Sequence, residues 1–282
     1  MKKRCFIGID CQNDFTDIPE SQLPRNFNGD IMYRPALPVE GGHNDMVTLG
    51  QWLKKNYPFI AGFYLTQDSH HRLDISHPCW WKKEDGTNVD PFTPISHQDV
   101  MDGKYVPKLA HKRSMNYVKA LEQNGEFGHF IWPYHCIMGT WGHNFHSAIL
   151  EAIEVIEENG KWINFVTKGS NPFTEHFGPW RANIPDPTDP STQLNQTLLN
   201  NFLSYDEVII AGEARSHCVA NGLKQLLEEV PSLAPKMVLL TDCMSDVPGL
   251  PDEFYTEMNK IYEQAKQAGV RFETTQTYNF SN

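Results

Sequence analysis

Short apolar runs alternate with helix-spaced apolar stripes along most of the chain. Six runs read as buried parallel strands: residues 5–9 (CFIGI), 59–66 (FIAGFYLT), 127–132 (FGHFIW), 162–167 (WINFVT), 207–211 (EVIIA) and 236–241 (KMVLLT). A weaker seventh lies at 270–275. A strand covered on both faces is apolar throughout, without polar alternation. Three stripes recur at helical spacing between the runs. Phe145, Ile149, Ala152, Ile153 and Ile156 form the first, with Gly160 as its stop. Val219, Leu223, Leu226 and Leu227 form the second. Phe254, Met258, Ile261, Ala265 and Ala268 form the third, ended by Gly269. Strands alternating with helices predict an α/β, doubly wound three-layer sandwich on a mostly parallel six-stranded sheet.

Two stretches break this rhythm. Residues 72–126 carry Pro78, Pro91, Pro94, Pro107 and the pair Trp80-Trp81. Residues 169–192 carry Pro172, Pro179, Pro185, Pro187 and Pro190. Loops of such length inside a compact domain are usually functional. We therefore expect one domain over 1–282, with two insertions acting as lids over a pocket. The 282 residues are 40% hydrophobic and 21% charged, enough to bury a core without staples. A formal net charge of -11 argues against nucleic acid or an anionic membrane as partner. No run approaches a membrane span, and the apolar run after Met1 is too short for a signal peptide. The six cysteines show no CxxC pair and no regular spacing, which suits reduced thiols in the cytoplasm.

In an open parallel sheet, ligands bind beyond the carboxyl ends of the strands. Reactive residue types follow each of the first five predicted strands there. Asp10 ends the first, Asp68 and His70 follow the second, His135 the third, Lys168 ends the fourth, and Cys218 follows the fifth at a helix start. Taken singly, each has a plain reading: a buried thiol, a cap, a solvated strand end, a loop histidine. Their shared placement on one rim points to an active site. Cys218, Asp10 and Lys168 suit nucleophilic catalysis, with a thiol, a carboxylate to take its proton and a cation to steady the thiolate. Asp68, His70 and His135 suit a catalytic metal with mixed N/O ligands. The Asp-x-His spacing puts two ligands on one side of an extended segment. By the same alternation His71 points away, while His77 is a candidate fourth ligand or a polar contact in the lid.

At these residues the sequence resembles the nicotinamidase and isochorismatase-like cysteine hydrolase family. The matching segments are GIDCQNDF (8–15), TQDSHH (66–71), WPYHCIMGTWG (132–142), TKGSNP (167–172) and AGEARSHCVANGLKQL (211–226), in the family's order and spread over most of the chain. The resemblance implies the isochorismatase-like fold and a catalytic triad at Asp10, Lys168 and Cys218. It implies a divalent metal on Asp68, His70 and His135, with zinc foremost and iron or manganese as alternatives. It places oxyanion-hole N–H groups at Ala214 and Cys218, a cis peptide at Glu213–Ala214, and substrate-flanking rings at Phe15 and Trp132. It also implies nicotinamide hydrolysis, with a carbamoyl or other heterocyclic amide as the alternative, and possible homo-oligomers. The segment after Lys168 departs from the family. Glu175, His176 and Arg181 stand there in a long Pro-rich stretch, as surface loop or as pocket residues. An isochorismatase-type hydrolase would not need Cys218, and a binding protein would not need the triad. A dinucleotide dehydrogenase lacks its GxGxxG, since Asp10-Cys11-Gln12 follows the first strand.

Overall fold

A computed structural model describes residues 2–280. The first half contains β1 (Arg4–Ile9), α1 (Gly42–Asn56), β2 (Gly62–Asp68), β3 (Trp81–Lys83), β4 (Pro94–Ile95), α2 (His97–Met101), β5 (Tyr105–Pro107), α3 (His111–Gln123) and β6 (His129–Phe130). The second half adds α4 (Ser147–Glu158), β7 (Ile163–Lys168), α5 (Gln196–Leu203), β8 (Glu207–Gly212), α6 (Ala220–Glu229), β9 (Met237–Leu240), α7 (Asp252–Gln267) and β10 (Arg271–Glu273). Six strands pair in the order β10-β9-β8-β1-β2-β7, and every pairing is parallel. The central register aligns Cys5 with Val208 and Ile7 with Ile210.

Alternate residues of each strand feed opposite layers. Phe6, Phe63 and Ile209 pack on one face with Met46, Leu49 and Leu53 of α1 and Ile149 and Ile156 of α4. Ile7, Ile210 and Leu239 pack on the other with Phe202 of α5, Leu223 of α6 and Met258 of α7. The three buried isoleucines of α4 alone contribute about 5–9 kcal/mol of apolar burial. α1 and α4 approach closely because residue 50 is glycine. A Cβ there would sit 2.4 Å from the Ala148 carbonyl oxygen. The doubly wound sandwich is therefore the one the stripes predict, with Gly160 and Gly269 left-handed at the ends of α4 and α7.

One strand assignment changes. Residues 127–132 do not join the main sheet. Only His129–Phe130 is extended and paired, and it runs antiparallel to Pro94–Ile95. Its neighbour Ile131 packs with Ile75, Trp80, Trp81, Val118 and Leu121 in a separate small core. An apolar run gives no hint of which core it will join. The sixth place in the sheet goes to β10, within the weaker run at 270–275. Residues 72–126 are not bare loop either, since β3 and β5 pair antiparallel and α3 packs beneath them. No helix among the described residues is long and apolar enough to cross a membrane.

Candidate active site

The rim of β1, β2 and β7 brings three charged groups into one buried cluster. Lys168 closes β7 and is 2% exposed. Its Nζ lies 2.8 Å from Asp68 Oδ1 and 3.0 Å from Asp10 Oδ2, and donates to the His176 carbonyl oxygen at 3.0 Å. Asp10 follows β1 in a left-handed conformation, φ +45°, which a non-glycine residue adopts rarely and at functional sites. Thr66 donates its hydroxyl to Asp10 Oδ1 at 2.6 Å and accepts the Asp10 N–H at 2.9 Å. Cys218 stands in a π-helical turn, Arg215–Val219, that leads into α6. Its thiol lines a pocket with Lys168 and Ala214, and the Asp10 carboxylate acts on it electrostatically.

The charges explain the protonation states. Burial pushes the Cys218 thiol well above its ordinary pKa; Lys168 opposes this, and Asp10 and Asp68 add to it. Burial also raises Asp10, against the pull of Lys168. Burial works against the Lys168 charge, but Asp10 and Asp68 outweigh it and hold the ammonium firmly protonated. Cys218 thus rests as a thiol beside a carboxylate of increased basicity.

Asp68 uses its second oxygen differently. Oδ2 lies 3.0 Å from His70 Nε2 and 3.4 Å from His135 Nε2. The opposite ring nitrogens are engaged: His70 Nδ1 with Asp74 Oδ2 at 3.2 Å, His135 Nδ1 with the Pro133 carbonyl at 2.8 Å. Such outer partners fix the tautomer that leaves Nε2 as an acceptor for a metal. One donor atom each from Asp68, His70 and His135 falls within 4.8 Å of the others. The donor set fits a divalent cation. His71 is exposed. His77 is fully buried, its Nδ1 on the His71 carbonyl at 3.1 Å and its Nε2 without a partner. Its ring lies 5.1 Å from that of His70 and 5.4 Å from that of His135.

Phe15 and Trp132 both line the pocket, Phe15 edge-on to His135 at 5.6 Å. The Glu213–Ala214 peptide is cis. Gly212 before it has φ +124°, and a Cβ would lie 2.0 Å from the Ile9 carbonyl oxygen, so only glycine fits. Of the departing segment, Glu175 and Phe177 reach the pocket wall. His176 is buried and supplies its carbonyl to Lys168, while Arg181 turns outward to Glu126, Glu228 and Glu229. His135 reaches the rim from a loop, not from a sheet strand.

Several supporting residues escaped the sequence reading. Gln12 clamps the Asp68 backbone from both sides, donating to its carbonyl at 2.8 Å and accepting its N–H at 2.7 Å. Asp14 accepts the Cys136 N–H at 2.7 Å and so fixes the loop that carries His135. The polar run Gln12-Asn13-Asp14, buried straight after a strand, was the available signal.

No protein-family model matches the sequence, and no curated protein matches it. Solved structures do match, and they share one architecture. The fold is the α/β sandwich of those structures. The nicotinamidase/pyrazinamidase of Acinetobacter baumannii aligns with a TM-score of 0.61 and 17% identity over 98% of each chain. The yeast nicotinamidase Pnc1p aligns at 0.59 and 20% identity, over 96% of this chain and 99% of that one. A Pyrococcus horikoshii pyrazinamidase, solved in complex with zinc, aligns at 0.53 and 16% identity, over 96% and 99%.

Proposed function

We infer that the protein is a metal-containing cysteine amidohydrolase that converts a small primary amide, foremost nicotinamide, to the acid and ammonia. One observation carries this reading: a single buried lysine joins the carboxylate beside the Cys218 thiol to the carboxylate at the centre of the His70–His135 donor set. The fold shared with nicotinamidases supports the substrate class.

In this reading Asp10 takes the thiol proton as the Cys218 sulfur attacks the amide carbon. The carbonyl oxygen gains the electron pair and is held by the Ala214 and Cys218 N–H groups, donors worth about 3–4 kcal/mol each in related sites. The C–N bond breaks, Asp10 returns its proton to the leaving nitrogen, and ammonia departs. Water then attacks the thioester, giving its proton to Asp10. The C–S bond breaks, and Asp10 reprotonates the sulfur. A raised carboxyl pKa suits Asp10 to both directions of transfer. Lys168 keeps Asp10 oriented and balances the charge. Phe15 and Trp132 flank the ring of the substrate. Asp68, His70 and His135 would hold a divalent ion, proposed as zinc, which when bound supplies a Lewis-acid anchor for the substrate.

Ammonia release from nicotinamide by the purified protein, with Cys218→Ala as control, tests the reading. Wild-type turnover in the control refutes the covalent route. A panel of carbamoyl and heterocyclic amides ranks the alternatives, and metal analysis of the same sample tests the donor set.

A further inference from the structure

Glu213 immediately precedes the Ala214 N–H proposed above as an oxyanion donor, and it is fully buried. Its Oε2 accepts the Ser245 N–H at 3.1 Å. Asp45, in the first turn of α1, accepts the Ser245 hydroxyl on Oδ2 at 2.5 Å. Glu213 and Asp45 thus converge on the two donors of one residue. Glu213 Oε1 is buried and has no hydrogen-bond partner. A carboxylate oxygen so placed is costly to leave charged, whereas a protonated carboxyl can donate to its acidic neighbour. The influence of each carboxyl on the other raises Glu213 and lowers Asp45, which puts the proton on Glu213.

The surroundings keep that proton in place. Asp17, which caps the Gly41 and His43 N–H groups, faces both carboxyls. Asp242 acts electrostatically on Asp45 from beyond β9, and the Cys11 and Cys243 thiols and the Tyr262 hydroxyl lie within the electrostatic reach of Glu213 from three further segments. Arg215 is turned to Asp246, at 2.8 Å. Burial, then Asp45, push Glu213 well above the ordinary carboxyl range.

We propose that Glu213 is a positioning residue for the oxyanion loop, tying it to α1 and to Ser245 through one proton shared with Asp45. The proposal rests on the amidohydrolase reading given above. Loss of that proton at high pH would set the buried Glu213 carboxylate against the half-buried Asp45 carboxylate and displace the Ala214 N–H.

The test compares wild type, Glu213→Gln and Glu213→Leu in nicotinamide hydrolysis across pH, and in infrared difference spectra at neutral pH. Glutamine can donate to Asp45 and accept from Ser245 with no proton to lose. Glu213→Gln should retain most of kcat and lose the wild-type alkaline limb. Glu213→Leu should lose kcat by about 10²–10³, as for a misplaced oxyanion donor, with KM little changed. The wild type minus Glu213→Gln spectrum should contain the carbonyl stretch of a protonated carboxylic acid. An unchanged alkaline limb in Glu213→Gln, a missing stretch, or wild-type kcat in Glu213→Leu overturns the proposal. If Glu213→Leu does not fold, the glutamine variant still decides. A wild type that releases ammonia from no amide overturns the amidohydrolase reading and the loop's catalytic role with it. The infrared band then still reports whether the proton is shared, so the two failures are distinguishable.

Discussion

Replacing Lys168 by Met should destabilise the protein through charge, not through volume. Lys168 is 2% exposed and has carboxylate oxygens at 2.8 and 3.0 Å. Methionine fills much of the same space, so the cavity term is small. Two buried carboxylates then lose their shared cation, and breaking a buried pair in this way costs about 3–5 kcal/mol. Asp10, already raised by burial, can take a proton in response. That relief puts the net loss near the lower end, about 3 kcal/mol, or a Tm lower by about 6–12 °C. It also fixes the sign of the pH dependence. In the variant the folded carboxyls hold protons that the unfolded chain has released, so its stability rises as pH falls toward the raised folded pKa. The deficit relative to wild type should therefore shrink from about pH 8 to about pH 5.5. Thermal and urea unfolding at matched metal loading measure both effects. The double variant Asp10→Asn/Lys168→Met should be more stable than the sum of its single variants, because removing one charge removes part of the penalty. A loss under about 1 kcal/mol at pH 8, or strict additivity, would refute the electrostatic account.

Two further predictions concern other sites. Asp74 accepts His70 Nδ1 at 3.2 Å and is held by the Ser76 N–H and hydroxyl at 3.0 and 2.9 Å. Asp74→Asn should weaken metal retention about 10–100-fold in chelator competition while leaving the circular dichroism of the fold intact; wild-type retention would count against a metal at this donor set. His129 is packed between the rings of Trp81 and Tyr117, and burial pushes its pKa down to about 3. Its folded pKa lies below the unfolded value, so its contribution is complete above about pH 6.5 and is lost as pH falls, roughly 2–3 kcal/mol by about pH 4.5. His129→Phe should flatten the stability–pH curve in that window, and an unchanged slope in urea titrations would contradict the neutral buried ring.

The sequence is most legible where the chain is most regular. Residues of β1, β8 and β9 are buried on both faces, so a run such as CFIGI or EVIIA has one sensible reading. Asp10, Asp68, Lys168 and Cys218 follow from those strands, because a parallel sheet collects its strand ends on one edge. FGHFIW is equally apolar but sits within the inserted core of Trp80 and Trp81, and nothing in its periodicity separates the two cores. β10 fails to stand out for the opposite reason: Phe272 of its Arg-Phe-Glu strand is partly exposed at the sheet edge. The supporting shell is harder still to read. Gln12, Thr66 and Glu213 act through hydrogen bonds to atoms distant in sequence, and spacing says nothing about such contacts.

The two candidate functions of the rim are not separable. Asp68 turns Oδ1 to the Lys168 ammonium and Oδ2 to the two imidazoles. Lys168 in turn reaches Asp10, whose carboxylate acts on the Cys218 thiol. The donor set and the Cys218 thiol are therefore the ends of one chain of interacting groups, Asp68, Lys168, Asp10 and Cys218, that follow adjacent strands. A shift at either end must be felt at the other, because the intermediate groups are buried and interact at low local dielectric. Substitutions at Asp68 should accordingly alter Cys218 reactivity as well as metal retention, and a variant that moved one without the other would break the proposed link.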